Sequence, residues 1–438
     1  MKKVLIITYY WPPAGGPGVQ RVLKFVKYLP QFGWQPLVLT VAKGEYPAID
    51  KSLEKNIPTE AMVFKTASRE PMAMYKKFMG MKQNDTIPTA VLANENPSLK
   101  KKIANWIRLN LFIPDAKKGW KKFAVKEGLK IIKNEKPELI FSSSPPPTVH
   151  LIAMELAEES GLKWIADFRD PWTDIHYYED QPRLALAKTI DKNLESKVLN
   201  KADKITCISK LDIELDFAKK TDAKKCINIP NGYDDDDFTG LNIFNSPTKK
   251  FTILHLGAIN KERNPEKFFE AISELNKEGI INKNNFQITF VGKIEAVIMT
   301  AVERNEIWDL VNYVDYLPHK EALEYTDKAT LLLLLVTQSK KNKRILPGKT
   351  FEYMRTGKYI LALGPEDGEV ARIISETNTG VVIDYSNKEK IKSLLLQKFF
   401  SWKDDKEMFT GKPEEIKKFS RKKLTEHLVK VFEETLKT

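Results

Sequence analysis

Short apolar runs alternate with longer amphipathic stretches along the first half of the chain. The runs have the length of buried strands, and the stretches between them repeat their apolar positions with helical spacing. The predicted strands lie at residues 4–8, 36–40, 139–142, 164–167, 204–208 and 227–229. The predicted helices lie at residues 19–29, 120–133, 149–160, 184–200 and 212–219. Strands and helices in alternation predict an α/β fold with a parallel, doubly wound sheet.

The alternation stops near the middle of the chain and then restarts. Asn231-Gly232 is a strong turn dipeptide followed by a polar stretch, so residues 231–250 are predicted to link two domains. The pattern resumes at residues 251–256, 265–275, 286–291, 296–304, 313–316, 330–336, 349–355, 359–363, 370–375, 381–383 and 391–399.

This organisation predicts two doubly wound domains, at residues 1–230 and 251–412. A stretch from about 43 to 115 with little strand-like periodicity is interpreted as an insertion in the first. A long amphipathic helix at 413–438 is predicted to pack back toward the first domain. Ligands of open α/β sheets bind beyond the carboxyl ends of the strands, so we predict a ligand site in a cleft that the two domains face.

The composition is that of a soluble globular protein, with 42% hydrophobic and 29% charged residues among 438. The longest purely apolar run, residues 331–336, is too short to cross a bilayer. The first apolar stretch ends at residues 9–13, too early for a signal peptide. Cys207 and Cys226 lack metal-ligand spacing and favour a reducing compartment. We therefore predict a cytoplasmic protein.

A formal net charge of +13 favours nucleic acid, an anionic membrane or a polyanionic small substrate as the partner. Nucleic acid is disfavoured, because no nucleic-acid module is recognisable and the basic residues are spread along the chain. Residues 100–126 hold nine basic residues and one acid, with Ile103, Trp106, Ile107 and Leu111 at helical spacing. A helix at the inner face of an anionic membrane and a core-facing helix with a solvated lysine side explain this pattern equally well.

A glycine-rich loop follows the first predicted strand and leads into a helix. Gly15 and Gly16 would let backbone N–H groups approach an anion at the start of that helix. An ordinary tight turn is an equally good interpretation. An NAD site is disfavoured, because its fingerprint requires glycine where Arg21 stands and an acid where Thr40 stands.

In the second domain, charged residues gather at the entrances of predicted helices. Arg263 precedes a helix that follows the strand 251–256, a position suited to a diphosphate. Lys349 begins another helix and can supply a second cation. Glu352 lies about one turn further on the same face, where its carboxylate can accept hydrogen bonds from the cis-hydroxyls of a ribose. A helix cap or a surface charge explains each residue alone, but their shared geometry predicts a nucleotide site.

No metal site is predicted. The carboxylates at 234–237 are successive and lie in the linker, which favours solvation over ligation. The histidines are scattered without ligand spacing, at positions 150, 176, 255, 319 and 427. His319, after Leu317-Pro318, is expected near the nucleotide base, where the loop backbone would read uracil or guanine.

With these motifs the sequence resembles the GT-B glycosyltransferases of family 4, the glycosyltransferase group 1 type, over nearly its whole length. The resemblance rests on residues 9–13 with Gly15 and Gly16, and on residues 142–146, 166–172, 231–233, 257–265 and 347–353. Several of these motifs resemble bacterial exopolysaccharide and lipopolysaccharide enzymes. The fold that the resemblance implies is GT-B, two Rossmann-like domains facing across a cleft.

The resemblance implies a retaining transfer from a nucleoside-diphosphate sugar, without a bound metal or cofactor. The donor would lie in the C-terminal domain and a saccharide or lipid-linked acceptor in the N-terminal one. Arg263 and Lys349 resemble the cations that stabilise the departing diphosphate, and Glu352 resembles the second glutamate of the family's paired-glutamate motif. The absence of an obvious nucleophile is compatible with a single front-face step, in which a diphosphate oxygen takes the acceptor proton.

Two positions depart from the family pattern. Arg344 stands where the first glutamate belongs, and Ala258 replaces the arginine that usually follows Gly257. Recognition of the sugar is therefore expected to involve Glu366, Asp367 or Gly368 instead, and Arg344 itself stays among the donor-binding candidates. These departures keep open a non-catalytic scaffold that binds nucleotide-sugar, and an epimerase of the same fold is a further alternative.

The acceptor side is expected at the carboxyl end of the strand 164–167. Asp170 is the candidate catalytic or sugar-contacting carboxylate, although a helix N-cap before Pro171 explains it almost as well. Asp167, Arg169 and Arg21 are the other candidates on this side.

Overall fold

The computed structural model describes residues 1–46, 48–69, 99–175, 178, 181–241, 249–406, 409 and 411–437. The chain forms two compact units: unit 1 comprises Met1–Pro230 and Arg421–Thr438, and unit 2 comprises Asn231–Ser420. Each unit is built on a parallel sheet, so the predicted fold class is confirmed. In the part of the chain that the structure describes, no helix is both long and apolar enough to span a membrane.

Unit 1 contains a seven-stranded sheet in the order β3-β2-β1-β4-β5-β6-β7. Its strands are β1 (Lys2–Ile7), β2 (Trp34–Val41), β3 (Met62–Thr66), β4 (Leu139–Ser144), β5 (Lys163–Phe168), β6 (Lys204–Cys207) and β7 (Cys226–Asn228). Its helices, up to the linker, are α1 (Pro17–Tyr28), α2 (Leu99–Leu111), α3 (Lys121–Glu135), α4 (Thr148–Ser160), α5 (Ala185–Lys201) and α6 (Lys210–Leu215). The central strands are covered on both faces: along β1, Leu5 and Ile7 enter one core, and Val4 and Ile6 the other.

Unit 2 contains a six-stranded sheet in the order β10-β9-β8-β11-β12-β13. Its strands are β8 (Phe251–Leu256), β9 (Phe286–Val291), β10 (Val311–Val314), β11 (Leu331–Leu335), β12 (Tyr359–Leu363) and β13 (Gly380–Ile383). Its helices are α7 (Glu266–Lys277), α8 (Ala296–Arg304), α9 (His319–Glu324), α10 (Lys349–Arg355), α11 (Glu369–Thr377), α12 (Lys388–Lys403) and α13 (Pro413–Lys417). The carboxyl ends of the parallel strands meet at one edge, which places the loops after β8, β11, β12 and β13 together.

The C-terminal helix differs from the prediction. It is broken, with α13 in unit 2 and α14 (Arg421–Lys437) in unit 1. Between them, the Phe419 carbonyl accepts a hydrogen bond from the Tyr233 N–H at 3.1 Å, and Ser420 forms a β-bridge with Tyr233. Phe419 and Ser420, which pair with Tyr233, therefore lie outside both helices. Within unit 1, α14 packs against α1 and buries Phe432 beside Trp34, with ring centroids 5.1 Å apart.

The stretch interpreted as an insertion also differs from the expectation. Part of it, β3, pairs in parallel with β2 and forms the edge of the sheet, while residues 70–98 lie outside the described residues. The basic segment 100–126 is not one helix, because α2 ends at Leu111 and α3 begins at Lys121. Pro114 lies between them and disfavours helical backbone at the preceding residue.

Candidate functional site

The turn after β8 is shaped around the side chain of Lys349. Gly257 has φ +124°, a backbone conformation that favours glycine, and a Cβ atom there would come within 2.8 Å of the Lys349 Cε. The Lys349 stem therefore lies across a turn that only glycine leaves open. The Tyr353 hydroxyl accepts a hydrogen bond from the Leu256 N–H at 2.8 Å, which fixes α10 against the end of β8.

The first turn of α10 carries the predicted cation and carboxylate. Lys349 Nζ lies 4.0 Å from Glu352 Oε2, and His319 Nε2 lies 3.0 Å from Glu352 Oε1. The hydrogen bond to Glu352 raises the pKa of His319 above its ordinary value. The structure thus brings His319, Lys349 and Glu352 together, at the end of α10 that favours anions.

Arg263 lies between the loops that follow β8 and β11. Its Nε donates to Thr337 Oγ1 at 3.0 Å and its Nη1 to the Ala258 carbonyl at 3.4 Å. Burial lowers the pKa of the His255 imidazole, and the positive charges of Lys349 and Arg263 lower that pKa further. Two cations from different loops thus share one region at the strand ends, an arrangement suited to a diphosphate.

The residues predicted to contact the sugar lie on the loops after β11 and β12, where two of them are paired with lysines. Arg344 is buried, with 8% of its surface exposed. Glu366 accepts a hydrogen bond from Lys390 Nζ at 2.8 Å, and Asp367 forms an ion pair with Lys343. Gly368 precedes α11, and a Cβ atom there would lie 3.1 Å from the Lys343 carbonyl oxygen. The structure therefore places the loops of Arg344 and Gly368 next to each other.

A cavity of about 360 Å³ lies in unit 2, and its lining includes Asn264, the residue that follows Arg263. The loops after β8, β11, β12 and β13 line it, and none of its residues was selected from the sequence. Three of its polar atoms are buried without a hydrogen-bond partner in the described part of the chain: Asn264 Oδ1, Ser339 Oγ and Tyr385 Oη. Sequence reasoning missed these residues because each is an ordinary loop residue, and only the meeting of strand ends gives them a common position.

In unit 1 the glycine loop is tightly held. The Gly15 N–H donates to the Ala48 carbonyl at 2.8 Å, and a Cβ atom on Gly15 would lie 3.1 Å from that of Asp50. Gly16, with φ +88°, immediately precedes α1 and is exposed. Arg169 Nη1 donates to the Gly18 carbonyl, which ties the loop to the end of β5.

Asp167 and Arg21 form a buried ion pair beneath this loop. Arg21 Nη2 lies 2.7 Å from Asp167 Oδ1, and the two side chains are 1% and 0% exposed. Asp167 also accepts hydrogen bonds from Ser143 and Thr206, both at 2.7 Å, and Arg21 donates to the Pro230 carbonyl. Burial alone would raise the pKa of Asp167, but these contacts hold it below its ordinary value. The pair thus supports the scaffold of unit 1.

Arg169 is also engaged inside unit 1, whereas Asp170 is exposed. Arg169 Nε donates to the Ser144 carbonyl at 2.7 Å, and Nη2 donates to the Pro145 carbonyl. Arg169 therefore joins the loops after β1, β4 and β5. Among the acceptor-side candidates, Asp170 is the exposed residue. Its predicted role stays a prediction, as do the roles of the other three.

A family model matches a segment that lies within unit 2. Residues 239–410 match the family model of glycosyl transferases group 1. None of the curated proteins matches the sequence significantly. The match confirms the predicted enzyme class, a glycosyltransferase.

Solved structures are similar over the whole chain. Sucrose-phosphate synthase from Thermosynechococcus elongatus has a TM-score of 0.63 at 12% identity, over 99% of both chains. Anabaena HepE in complex with UDP has a TM-score of 0.60 at 10% identity, over 99% of this chain and 100% of that one. The apo lipopolysaccharide outer core galactosyltransferase WaaB has a TM-score of 0.57 at 11% identity, over 99% of both. These similarities confirm the GT-B fold.

Proposed function

We propose that the chain is a retaining glycosyltransferase of family 4 in bacterial cell-surface polysaccharide biosynthesis. It transfers a sugar from a nucleoside-diphosphate sugar to a saccharide or lipid-linked acceptor, without a bound metal or cofactor. The observation that carries the proposal is the group at the end of β8, where Lys349 crosses Gly257 within reach of Glu352 and near Arg263. The UDP complex of Anabaena HepE, a protein of the same fold, supports a nucleotide as the ligand.

In the proposed reaction each residue has a defined part. The bond between the anomeric carbon and the diphosphate oxygen breaks, and the acceptor hydroxyl oxygen bonds to that carbon on the same face. The acceptor proton moves to the departing diphosphate. Arg263 and Lys349 stabilise the negative charge that develops there. Glu352 accepts hydrogen bonds from the ribose hydroxyls, which its two carboxylate oxygens can do while Oε1 keeps its hydrogen bond with His319.

A thermal-shift and hydrolysis panel tests this function. UDP or GDP is expected to raise the Tm of the wild-type protein, and the matching nucleotide-sugar to be hydrolysed slowly to free sugar and nucleotide. Glu352→Gln should raise the donor KM by roughly tenfold, since it removes a charged hydrogen-bond acceptor. Glu376→Gln, which alters a surface glutamate paired with Arg372, is the matched control. Stabilisation without hydrolysis would favour the non-catalytic scaffold, and an unchanged KM in Glu352→Gln would remove the ribose role.

We also propose that unit 1 binds an anionic membrane from the cytoplasmic side. Helix α2 exposes Ile103, Trp106 and Leu111, with 44%, 39% and 57% of their surfaces accessible. The segment at the start of α5 exposes Leu184, Leu186 and Ile190, at 49%, 70% and 41%. The two segments are neighbours, because Asn110 binds the Leu184 N–H at 2.6 Å and the Pro182 carbonyl at 3.1 Å. These six side chains form the apolar patch, and exposed Lys102 and Lys188 lie on the same two segments.

Co-sedimentation with vesicles tests the apolar patch. The wild-type protein is expected to bind vesicles of equimolar phosphatidylglycerol and phosphatidylcholine at low salt, and less at high salt. The double change Trp106→Ser, Leu186→Ser should weaken binding by about tenfold or more, since each apolar side chain contributes on the order of 1 kcal/mol. Trp308→Ser, at a tryptophan of unit 2 that is 52% exposed, is the control and should bind like the wild type. Equal binding by all three proteins would contradict the proposal.

A further inference from the structure

His255 is a buried histidine at the end of β8 that the proposed function does not use. It is 3% exposed and contacts Phe290 edge to face. Its Nδ1 lies 2.9 Å from the Leu333 carbonyl oxygen. A carbonyl can only accept, so Nδ1 carries the proton and Nε2 is left as an acceptor. Nε2 has no hydrogen-bond partner among the residues that the structure describes.

This acceptor lies beneath Lys349. The Cβ position of a side chain at Gly257 is 2.8 Å from Lys349 Cε and 3.9 Å from His255 Nε2, so the lysine stem and the imidazole approach the same point. Burial, together with the positive charges of Lys349 and Arg263, lowers the pKa of His255 to about 3. The imidazole is therefore neutral near pH 7, and its lone pair remains available to a donor.

Lys349 is the donor that best fits this position. Arg263 already donates to Thr337 and Ala258, whereas the nearest carboxylate oxygen to Lys349 Nζ, on Glu352, is as far as 4.0 Å. The ammonium has three N–H groups and a flexible stem. A buried acceptor without a partner destabilises the fold, and a hydrogen bond to a charged donor removes that cost.

We propose that His255 is a positioning residue for Lys349: a rotation of the lysine stem brings one N–H of the ammonium to His255 Nε2, which accepts it and directs the other two toward the diphosphate. This inference rests on the proposed diphosphate role of Lys349. A flexible lysine in solvent samples many rotamers, and a fixed hydrogen bond at its base reduces the entropy lost when the diphosphate binds. His255 then contributes to donor affinity and to transition-state stabilisation without touching the donor.

Two conservative variants separate this role from a structural one. His255→Asn keeps an N–H that can reach the Leu333 carbonyl but has no group at the Nε2 position. His255→Gln places an amide at the Nε2 position, where its oxygen can accept from Lys349. For a positioning residue, His255→Asn should weaken the Kd for UDP or GDP by roughly tenfold, and His255→Gln should retain most of the affinity. A structural role through Leu333 predicts the reverse order, accompanied by a lower Tm of the unliganded His255→Gln protein.

A double-variant cycle completes the test, with isothermal titration of UDP and GDP as the readout. If His255 acts through Lys349, His255→Asn should add no further loss in a Lys349→Met background. Additive losses would overturn the inference, and so would wild-type affinity in His255→Asn. Lys349→Met alone separates failure of the proposed function from failure of this inference. If Lys349→Met binds nucleotide like the wild type, the proposed function fails. If Lys349→Met loses affinity and His255→Asn does not, only the role of His255 is contradicted.

Discussion

Lys349→Met is expected to lower kcat/KM for hydrolysis of the nucleotide-sugar by about 100- to 1000-fold, the usual effect of removing one group that stabilises a developing anion. Methionine keeps the apolar stem that crosses Gly257, so the turn after β8 should keep its shape. The loss should therefore appear in nucleotide binding and turnover while the Tm of the unliganded protein stays close to that of the wild type. Arg263→Ala should show a loss of the same kind.

Lys277 provides the matched control for this prediction. It is the last residue of α7 and pairs with Glu306 at the surface. Lys277→Met removes one positive charge from the same unit, and we expect near wild-type turnover from it. An equal loss in Lys277→Met and Lys349→Met would point to general electrostatic attraction, and wild-type turnover in Lys349→Met would remove the diphosphate assignment.

The second large effect is expected on stability. Asp167→Ala leaves the Arg21 guanidinium buried without its carboxylate, which should lower the free energy of unfolding of unit 1 by about 3–5 kcal/mol. Chemical denaturation monitored by fluorescence can follow the effect, because the buried Trp164 lies on the same strand, β5. The double change Arg21→Met, Asp167→Leu removes both charges and should recover most of the loss.

The same pair has a defined pH dependence. The folded-state pKa of Asp167 is lower than that of an ordinary carboxyl group, so its contribution is present above the unfolded value of about 3.9. The contribution is lost as the pH falls through the folded-state pKa. The stability difference between the wild type and Asp167→Ala should therefore shrink on acidification below about pH 4. A difference that is constant with pH, or a stable Asp167→Ala protein, would contradict the role of the pair.

The architecture could be predicted from the sequence because buried parallel strands are apolar on both faces. Leu331–Leu335 has no polar position, and in the structure it pairs in parallel with β8 on one side and β12 on the other. Edge strand β3 was missed for the opposite reason. Its apolar run, residues 61–64, is short, its residues are only partly buried and Lys65 is exposed, so the run alone did not distinguish the segment from a loop. The break before α14 depends on the pairing of Ser420 with Tyr233, which are distant in sequence.

The candidate site was predictable only where it is local. The approach of Lys349 and Glu352 follows from helical spacing, and the structure shows it. Arg21 and Asp167 are 146 positions apart, so their ion pair could not be read from spacing. His255 lies two residues after Ile253, on the same face of β8, and thus has the position of a core residue. That its Nε2 is a hydrogen-bond acceptor close to Lys349 becomes evident only in the structure, where the end of β8 meets the start of α10.

The β-bridge between Tyr233 and Ser420 also bears on how such a protein can be assembled during evolution. Unit 2 begins at Asn231 and ends at Ser420, so the bridge brings its first and last residues to the same place. A segment with adjacent ends can be inserted into a host chain without stretching either partner. Unit 2, which holds the proposed donor site, therefore has the geometry of an exchangeable module, and its exchange between relatives would combine one nucleotide-sugar specificity with a different acceptor.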